Sequence, residues 1–537
     1  MVNILRPVGH LEKASTSRHS LGFYRSVANT ATYSIPISAL NDENSLPTIL
    51  EAALAKVILR HPNLCCGILG EDTKSPAFAR LDEIDVRKRI EYEKIQAITP
   101  KEYDGALMNL LAKQHSQLWP EIERLPPWKI VIFQPAKAVL DEGKKVLDVA
   151  FFYHHGIGDG MSGVAFHLSF LPALNAVTND LQNSISTHNP IVTIPESLTL
   201  LPSVEDHISF TTSYAYLISK MWDAFRPSWL FPDRRPAPWT GGKVTFEGIE
   251  SYKVHARLLT IPAPLLSPIL NQCRKHHTTL TCLIHALTLA SLAALLPSPQ
   301  AIKTAIPYSL RPWSKTPRTE ITVQVCNHPS HYEEETISAL RKASTNPNPN
   351  STSNSSSSPN STPSNDLDSQ IWTIASTLKS NLSADLATIP KDNLIGVLSY
   401  VSDWHKFYSA EVGLPRKSTF EVSNVGVLKP LTSFPAPFSA SAAASSPAEG
   451  ELTGKNEESN DNPAWTISRD IFTQCASVTG EALNLAVASV IDGPLAIGIT
   501  WQDGVLDEEL VQDVMKRLER MLVCIGEGEK ISAGGVL

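Results

Sequence analysis

The stretch FFYHHGIGDGMSG, residues 151–163, decides how this chain is read. LDVAFFY, residues 147–153, is dense in strand formers and predicts a buried strand. His154 and His155 close that strand, a glycine-rich turn follows, and Val164, Leu168 and Leu171 begin the apolar face of a helix. Adjacent strand residues face opposite ways, so only one of the two histidines can enter a given cavity. Gly156, Gly158 and Gly160 permit close approaches that a side chain would obstruct. Asp159 lies four residues beyond His155, within reach to brace the loop. A positioned neutral imidazole is the usual general base near neutral pH.

Spacing alone leaves other readings open. Asp159 can be a helix N-cap beside ordinary strand-end histidines. A metal site would need convergent ligands, which adjacent histidines facing apart do not supply. Gly158-x-Gly160-x-x-Gly163 also fits a dinucleotide fingerprint. Its acidic residue belongs at the end of the next strand about 20 positions on, and Asp180 sits instead in the polar stretch TNDLQNS. No G-x-S-x-G elbow and no P-loop occurs in the sequence.

Working outward, 537 residues exceed what one hydrophobic core usually organises, so two lobes are expected. A hydrophobic share of 42% against 19% charged leaves ample apolar material for both. The net charge of −8 gives no reason to expect a nucleic-acid partner. Seven cysteines without metal-ligand spacing predict reduced thiols and a cytoplasmic setting. The opening MVNILRPVGHLEK lacks the apolar core of a signal peptide. Residues 280–296, LTCLIHALTLASLAALL, carry a histidine and fall short of a bilayer span, which predicts a buried core helix.

An amphipathic stripe predicts a helix over 46–59, followed by a helix over 103–118 and a strand at 129–133. FRPSWLFPDRRPAPWTGG, residues 225–242, is too rich in proline for a regular element and predicts a crossover between residues 1–224 and 243–537. In the second half, strands are expected near 252–259, 302–307 and 419–423, in AVASVI from 486, and in LAIGITW from 495. Helices are expected at 281–296, 370–386 and 507–524. Residues 344–366 and 435–463 are polar, low-complexity insertions expected to be disordered. AYLISKMWDAFRPSWLF, residues 215–231, predicts packing between the lobes; contact with an endomembrane is left open but not indicated.

HHGIGDG resembles the HHxxxDG signature of the chloramphenicol acetyltransferase-like superfamily. RPVGHLEKASTSRHSLGFYRSV at 6–27 resembles the N-terminal signature of fungal alcohol O-acetyltransferases. ILRHPNL at 58–64, IPYSLRPW at 306–313 and FEVSNVGVL at 420–428 follow in that family's order. The resemblance covers nearly the whole chain outside the two insertions.

It implies an α/β fold of two chloramphenicol acetyltransferase-like lobes, each a mixed sheet with flanking helices, around an active-site tunnel. It further implies an acyl-CoA-dependent O-acyltransferase with acetyl-CoA or another acyl-CoA as co-substrate, no permanently bound cofactor and no metal. The second histidine, His155, becomes the general base. Asp159, grouped with it in the catalytic motif, pairs with an arginine, for which Arg311 is the candidate. Gly160 and His154 shape the site, and Ser423, Asn424 and Gly426 form a candidate oxyanion or CoA-channel loop. His19, Arg6 and Arg18 read as structural, His19 because its sequence context holds no neighbouring acid or base. The expected partners are an acyl-CoA and a small-molecule alcohol, and a monomer is expected. An N-acyltransferase acting on a long-chain amine and a non-catalytic binding module of the same fold are the alternatives.

Overall fold

In the computed structural model the described residues are 3–37, 40, 45–135, 143–182, 189–225, 236–297, 301–345, 366–436, 438 and 464–532. The buried strand expected at 147–153 is the central strand Lys144–Tyr153 of a five-stranded mixed sheet. Its order is Thr466–Gln474, Val27–Pro36, Lys144–Tyr153, Trp128–Pro135, Ile90–Ile95. All neighbours are antiparallel except the last pair. A second, six-stranded mixed sheet runs Val254–Ile261, Leu495–Gln502, Glu481–Val490, Ser418–Leu428, Ala301–Ser309, Val325–Glu333. This is the two-sheet α/β architecture that the resemblance implies. Two small sheets complete the set: Asn3–Pro7 with Ala77–Arg80 and Cys66–Leu69, and Glu83–Asp85 with Ile191–Thr193.

The helices follow their apolar stripes. Ser45–Arg60 buries Ile49, Leu50, Ala53, Leu54, Val57 and Ile58, the predicted stripe, and packs on Gly160–Gln182. Thr99 starts Pro100–His115 through a capping box with Glu102. That helix covers a small apolar cluster joining Val131 and Phe152 of the first sheet to Ala256 and Ala496 of the second. Leu280–Leu295 is a buried core helix, capped by Thr279, beneath Glu334–Thr345, Leu367–Thr388 and Glu508–Glu527. Among the described residues one helix, Gly160–Asp180, is long and apolar enough to cross a membrane, and it is 78% buried in the first core. The seven cysteines form no disulfide.

The structure departs from the sequence reading in several places. Thr466–Gln474, a strand the reading missed, lies late in the chain yet pairs with Val27–Pro36 in the first sheet. The second half thus lends a strand to the first lobe. Tyr214–Phe225 does not pack between the lobes along its length: Tyr214 is 86% and Ile218 66% exposed. Ser344, the expected start of the first insertion, is a buried residue of helix Glu334–Thr345. Residues 346–365 lie outside the described residues, as do those of 435–463 other than 435, 436 and 438, and residues 226–235 of the crossover. The described end of that crossover runs along the second sheet, where Trp239 N donates to Ala301 O at 2.9 Å.

Candidate active site

The central strand delivers the two histidines because its alternation is aromatic on both faces. Phe151 stacks on Phe166 of the following helix, with centroids 4.1 Å apart, while Phe152 points into the cluster between the sheets. Beyond Tyr153 the backbone leaves the sheet. His154 N donates to Pro127 O at 2.9 Å, and Ile157 N donates to His154 O at 3.0 Å, closing a tight turn. A Cβ on Gly156 would stand 2.9 Å from the His154 ring and 2.9 Å from Thr16 Cγ2, so this position has room for a hydrogen only. Gly160, which opens helix Gly160–Gln182, faces Phe472 and Val425 as closely: a Cβ there would meet them at 2.9 and 3.1 Å.

The two histidines face different surroundings. His154 is fully buried and both its nitrogens are used: Nδ1 accepts Gly156 N–H at 2.7 Å, and Nε2 lies 2.8 Å from Glu71 Oε1. Glu71 also meets His19 Nδ1 at 2.9 Å, and His19 Nε2 accepts Trp119 N–H at 3.2 Å. The backbone donors occupy one nitrogen of each ring, so each imidazole presents its other nitrogen to Glu71 as a donor. Despite burial, the two rings hold the Glu71 carboxyl down to about 2. These atoms lie within 4.8 Å of one another, a spacing open to a metal ion. Metal-bound imidazole donates its remaining N–H to an acceptor, whereas here backbone N–H groups already claim those nitrogens. A metal would require two imidazolates, so the cluster is a hydrogen-bonded triad. His19, whose sequence context showed no acid or base, has both in space.

His155 is half-buried, and its Nδ1 is buried with no partner beyond the residue's own backbone. The Tyr24 ring lies against it, centroids 5.4 Å apart. Burial first, then the Arg18 cation, pushes the imidazole down to about 4. It is neutral at physiological pH and ready to take a proton.

Asp159 is closed to solvent. Arg311 forks onto it with contacts of 2.6 and 3.0 Å, Gln324 N donates to Oδ2 at 2.9 Å, and Ser162 N and Oγ donate to Oδ1 at 3.2 and 3.1 Å. Both Asp159 oxygens are thus engaged within the protein. Arg311, Thr322 and Gln324 follow strand Ala301–Ser309, so the pair ties the histidine loop to the second half of the chain. The buried pair Arg60–Glu320 makes a second tie to the same segment.

A family of proteins described as alcohol acetyltransferase matches residues 7–312, more than half of the chain. The chain belongs to the alcohol acetyltransferase family. It is an acyltransferase by that membership. The probable alcohol acetyltransferase FCK4 of Fusarium pseudograminearum is 27% identical over 98% of this chain and 96% of its own. The probable alcohol acetyltransferase crmB of Aspergillus fumigatus is 25% identical over 94% and 96%. The solved structure of TRI3 trichothecene 15-O-acetyltransferase from Fusarium sporotrichioides superposes with a TM-score of 0.63 at 11% identity, covering 98% of this chain and 95% of that one. The first condensation domain of the CDA synthetase does so at 0.51 and 11% identity, covering 100% and 99%. At such identities these structures speak for the shared two-lobed fold.

In this family member the candidate loop 423–426 is part of strand Ser418–Leu428, with a bulge between Asn424 and Gly426, where Gly426 takes φ +81°. It lies against the start of the histidine helix, through Val425 and Gly160. The Asn424 amide is held in place: one Nδ2 hydrogen goes to Thr281 Oγ1 at 2.9 Å, and Oδ1 accepts Gly426 N–H at 2.8 Å. Ser423 is buried. Sequence reasoning missed Glu71 and Tyr24. Tyr24 and Arg18 lie within the N-terminal signature, which was the available signal; Glu71, in the loop GEDTKSP, had none.

Proposed function

We propose that this family member is an acyl-CoA-dependent O-acyltransferase, with acetyl-CoA as donor and a small-molecule alcohol as acceptor. His155 removes the hydroxyl proton as the oxygen attacks the thioester carbonyl carbon. The tetrahedral adduct collapses, the C–S bond breaks, and the imidazolium returns the proton to the CoA thiolate. Ester and free CoA leave, and no acyl-enzyme forms. One observation carries this reading: of two adjacent histidines, His154 has both nitrogens engaged, while His155 is neutral, half-exposed and without a side-chain partner. General-base work needs the second kind. Asp159 and Arg311 hold the loop, and Ser423 Oγ and the second Nδ2 hydrogen of Asn424 are the side-chain donors of the 423–426 loop open to the oxyanion.

The test is to incubate the purified protein with acetyl-CoA and panels of alcohols and amines, following thiol release and product mass. Ester products that disappear in His155→Ala support the reading. Amide products alone would make it an N-acyltransferase. Binding without thiol release would make it a binding module of this fold.

A further inference from the structure

Two arginines of the N-terminal stretch are treated differently by the fold. Arg6 forks onto Glu12 with two contacts of 2.7 Å, a structural pair as the sequence reading expected. Arg18 has no such partner. Its hydrogen bond is to Ser15 Oγ at 3.3 Å, its Nε is buried and unpaired, and among the described residues no carboxylate forms an ion pair with it. Its guanidinium carbon lies 4.7 Å from the centre of the Tyr24 ring and 5.9 Å from that of Tyr408. Tyr24 is the ring packed on His155. Trp404 stacks on Tyr408 at 5.7 Å and lines a cavity of about 170 Å³ together with Ser17, Lys13, Lys74 and His405. Ring contacts that include Arg18 therefore lead from that cavity to the base, and Lys417 lies over the same Tyr408 ring at 5.3 Å.

No carboxylate among the described residues pairs with this cation, although Tyr408, Tyr24, Cys475 and Glu481 together favour its charged form against burial. Asp159 is spent on Arg311. Burial, then Glu481, raises the Glu421 carboxyl well above its usual range, and Gln474 Nε2 donates to it at 3.5 Å. Glu481 itself accepts from Asn484. Burial keeps Tyr24 and Cys475 protonated, His154 is neutral, and Tyr408 touches Arg18 through its ring face.

An unpaired guanidinium beside a base opposes the reaction that base performs, because proton transfer turns His155 into a second cation. An anion resting on Arg18 removes that opposition. We propose that the acceptor is a hydroxy acid, whose carboxylate docks on Arg18 and whose hydroxyl is presented to His155. The guanidinium fork suits a carboxylate. Docking cancels the neighbouring charge, so the base strengthens only when the correct acceptor is in place. The carboxylate itself is unchanged: the hydroxyl oxygen bonds to the acetyl carbon, the C–S bond breaks, the proton passes through His155 to the thiolate, and an acetoxy acid leaves. The inference rests on the acyl-transfer reading of His155.

The experiment compares wild type, Arg18→Gln and Arg18→Lys on matched pairs of hydroxy acids and their methyl esters, aliphatic and aromatic, at saturating acetyl-CoA. Wild type should prefer at least one acid over its ester by about 10- to 100-fold in kcat/KM, the scale of a charge-assisted hydrogen bond. Arg18→Gln should bring that preference to parity through loss on the acids, with turnover of the esters not lowered, and Arg18→Lys should restore part of it. With the preferred acid, the acid limb of kcat should lie at higher pH than that of kcat/KM, since kcat reports the complex. A wild type that prefers no acid overturns the proposal. So does an Arg18→Gln variant that loses acids and esters equally, which would assign Arg18 to charge formed in the reaction or to CoA. Thermal stabilisation by the free acids, measured without CoA, gives an independent readout. If no acceptor turns over, the acyl-transfer reading fails, and an acid-dependent shift lost in Arg18→Gln still decides the role of Arg18. An unshifted wild type that also turns over no acceptor overturns both.

Discussion

Within residues 154–159 two buried environments meet, and they are built on opposite rules. Around Asp159 both carboxylate oxygens are paired, to Arg311, Gln324 and Ser162, and no accepting capacity is left for a ligand. Around His155 capacity remains: its Nδ1 has no side-chain partner, and Arg18 holds an unpaired Nε and no carboxylate partner among the described residues. A saturated polar network rigidifies a fold, whereas unused polar atoms beside an accessible imidazole mark where a substrate completes the set. His154 stands on the saturated side although it is the chain neighbour of His155, because the backbone turns between them.

The sharpest way to break the contrast is at the two histidines. His155→Ala should cost roughly 100- to 10,000-fold in kcat, the usual worth of general-base assistance, with little change in melting temperature. His154→Ala should cost far less activity and more stability, since it strands Glu71 and the Gly156 N–H, about 1–3 kcal/mol by denaturant unfolding. Equal kinetic losses in two folded variants would erase the division of roles.

The saturated side is tested by its ion pair. Asp159→Asn and Arg311→Ala should each destabilise by about 3–5 kcal/mol, because each leaves a buried charge without its partner. A double-mutant cycle should return a coupling energy of a kcal/mol or more. Additive losses would mean that the pair does not hold the loop.

Acid separates the two sides again. His115 and His285 are buried and pushed down to about 3, and His167 to about 4, by desolvation. Each holds its neutral form in the folded state while the unfolded chain takes up protons near the ordinary histidine value. The stability they contribute is therefore complete above about pH 6.5 and is lost as pH falls toward the folded values, by up to about 1.4 kcal/mol per pH unit for each group. Urea midpoints should fall from pH 7 to pH 5. The activity of the free enzyme should instead hold its kcat/KM plateau over that range, because the His155 imidazole is pushed down to about 4. An acid limb of kcat/KM near the ordinary histidine value would remove the depressed base from the account.

The smallest effect is expected in the first insertion. Replacing residues 346–365 by a short Gly/Ser linker should shift the melting temperature by no more than a few degrees, since loop-closure entropy changes slowly with length. Ser344 and Thr345 must be kept, because they finish helix Glu334–Thr345 and Ser344 is buried there.

The sequence by itself determined the strand before the histidines, the helix after them and the close approaches at the glycines. Those depend on local alternation, 3.6-residue periodicity and the lack of a Cβ. It also carried the order of the signatures, and with it the family and the pairing of Asp159 with an arginine. Only the tertiary structure decided what each group meets. Thr466–Gln474 carries Arg469 and Asp470 in mid-strand and does not read as buried, yet it lies in the first sheet, with Arg469 satisfied by Asp104 and Asp148 from elsewhere in the chain. Glu71 offered no motif, but it binds two histidines at sequence separations of 52 and 83. Arg6 and Arg18 look alike along the chain; one found a carboxylate six residues away and the other lies between two aromatic rings without one. Periodicity records which face of an element is buried, while the pairing of charges is fixed by contacts between elements far apart in sequence.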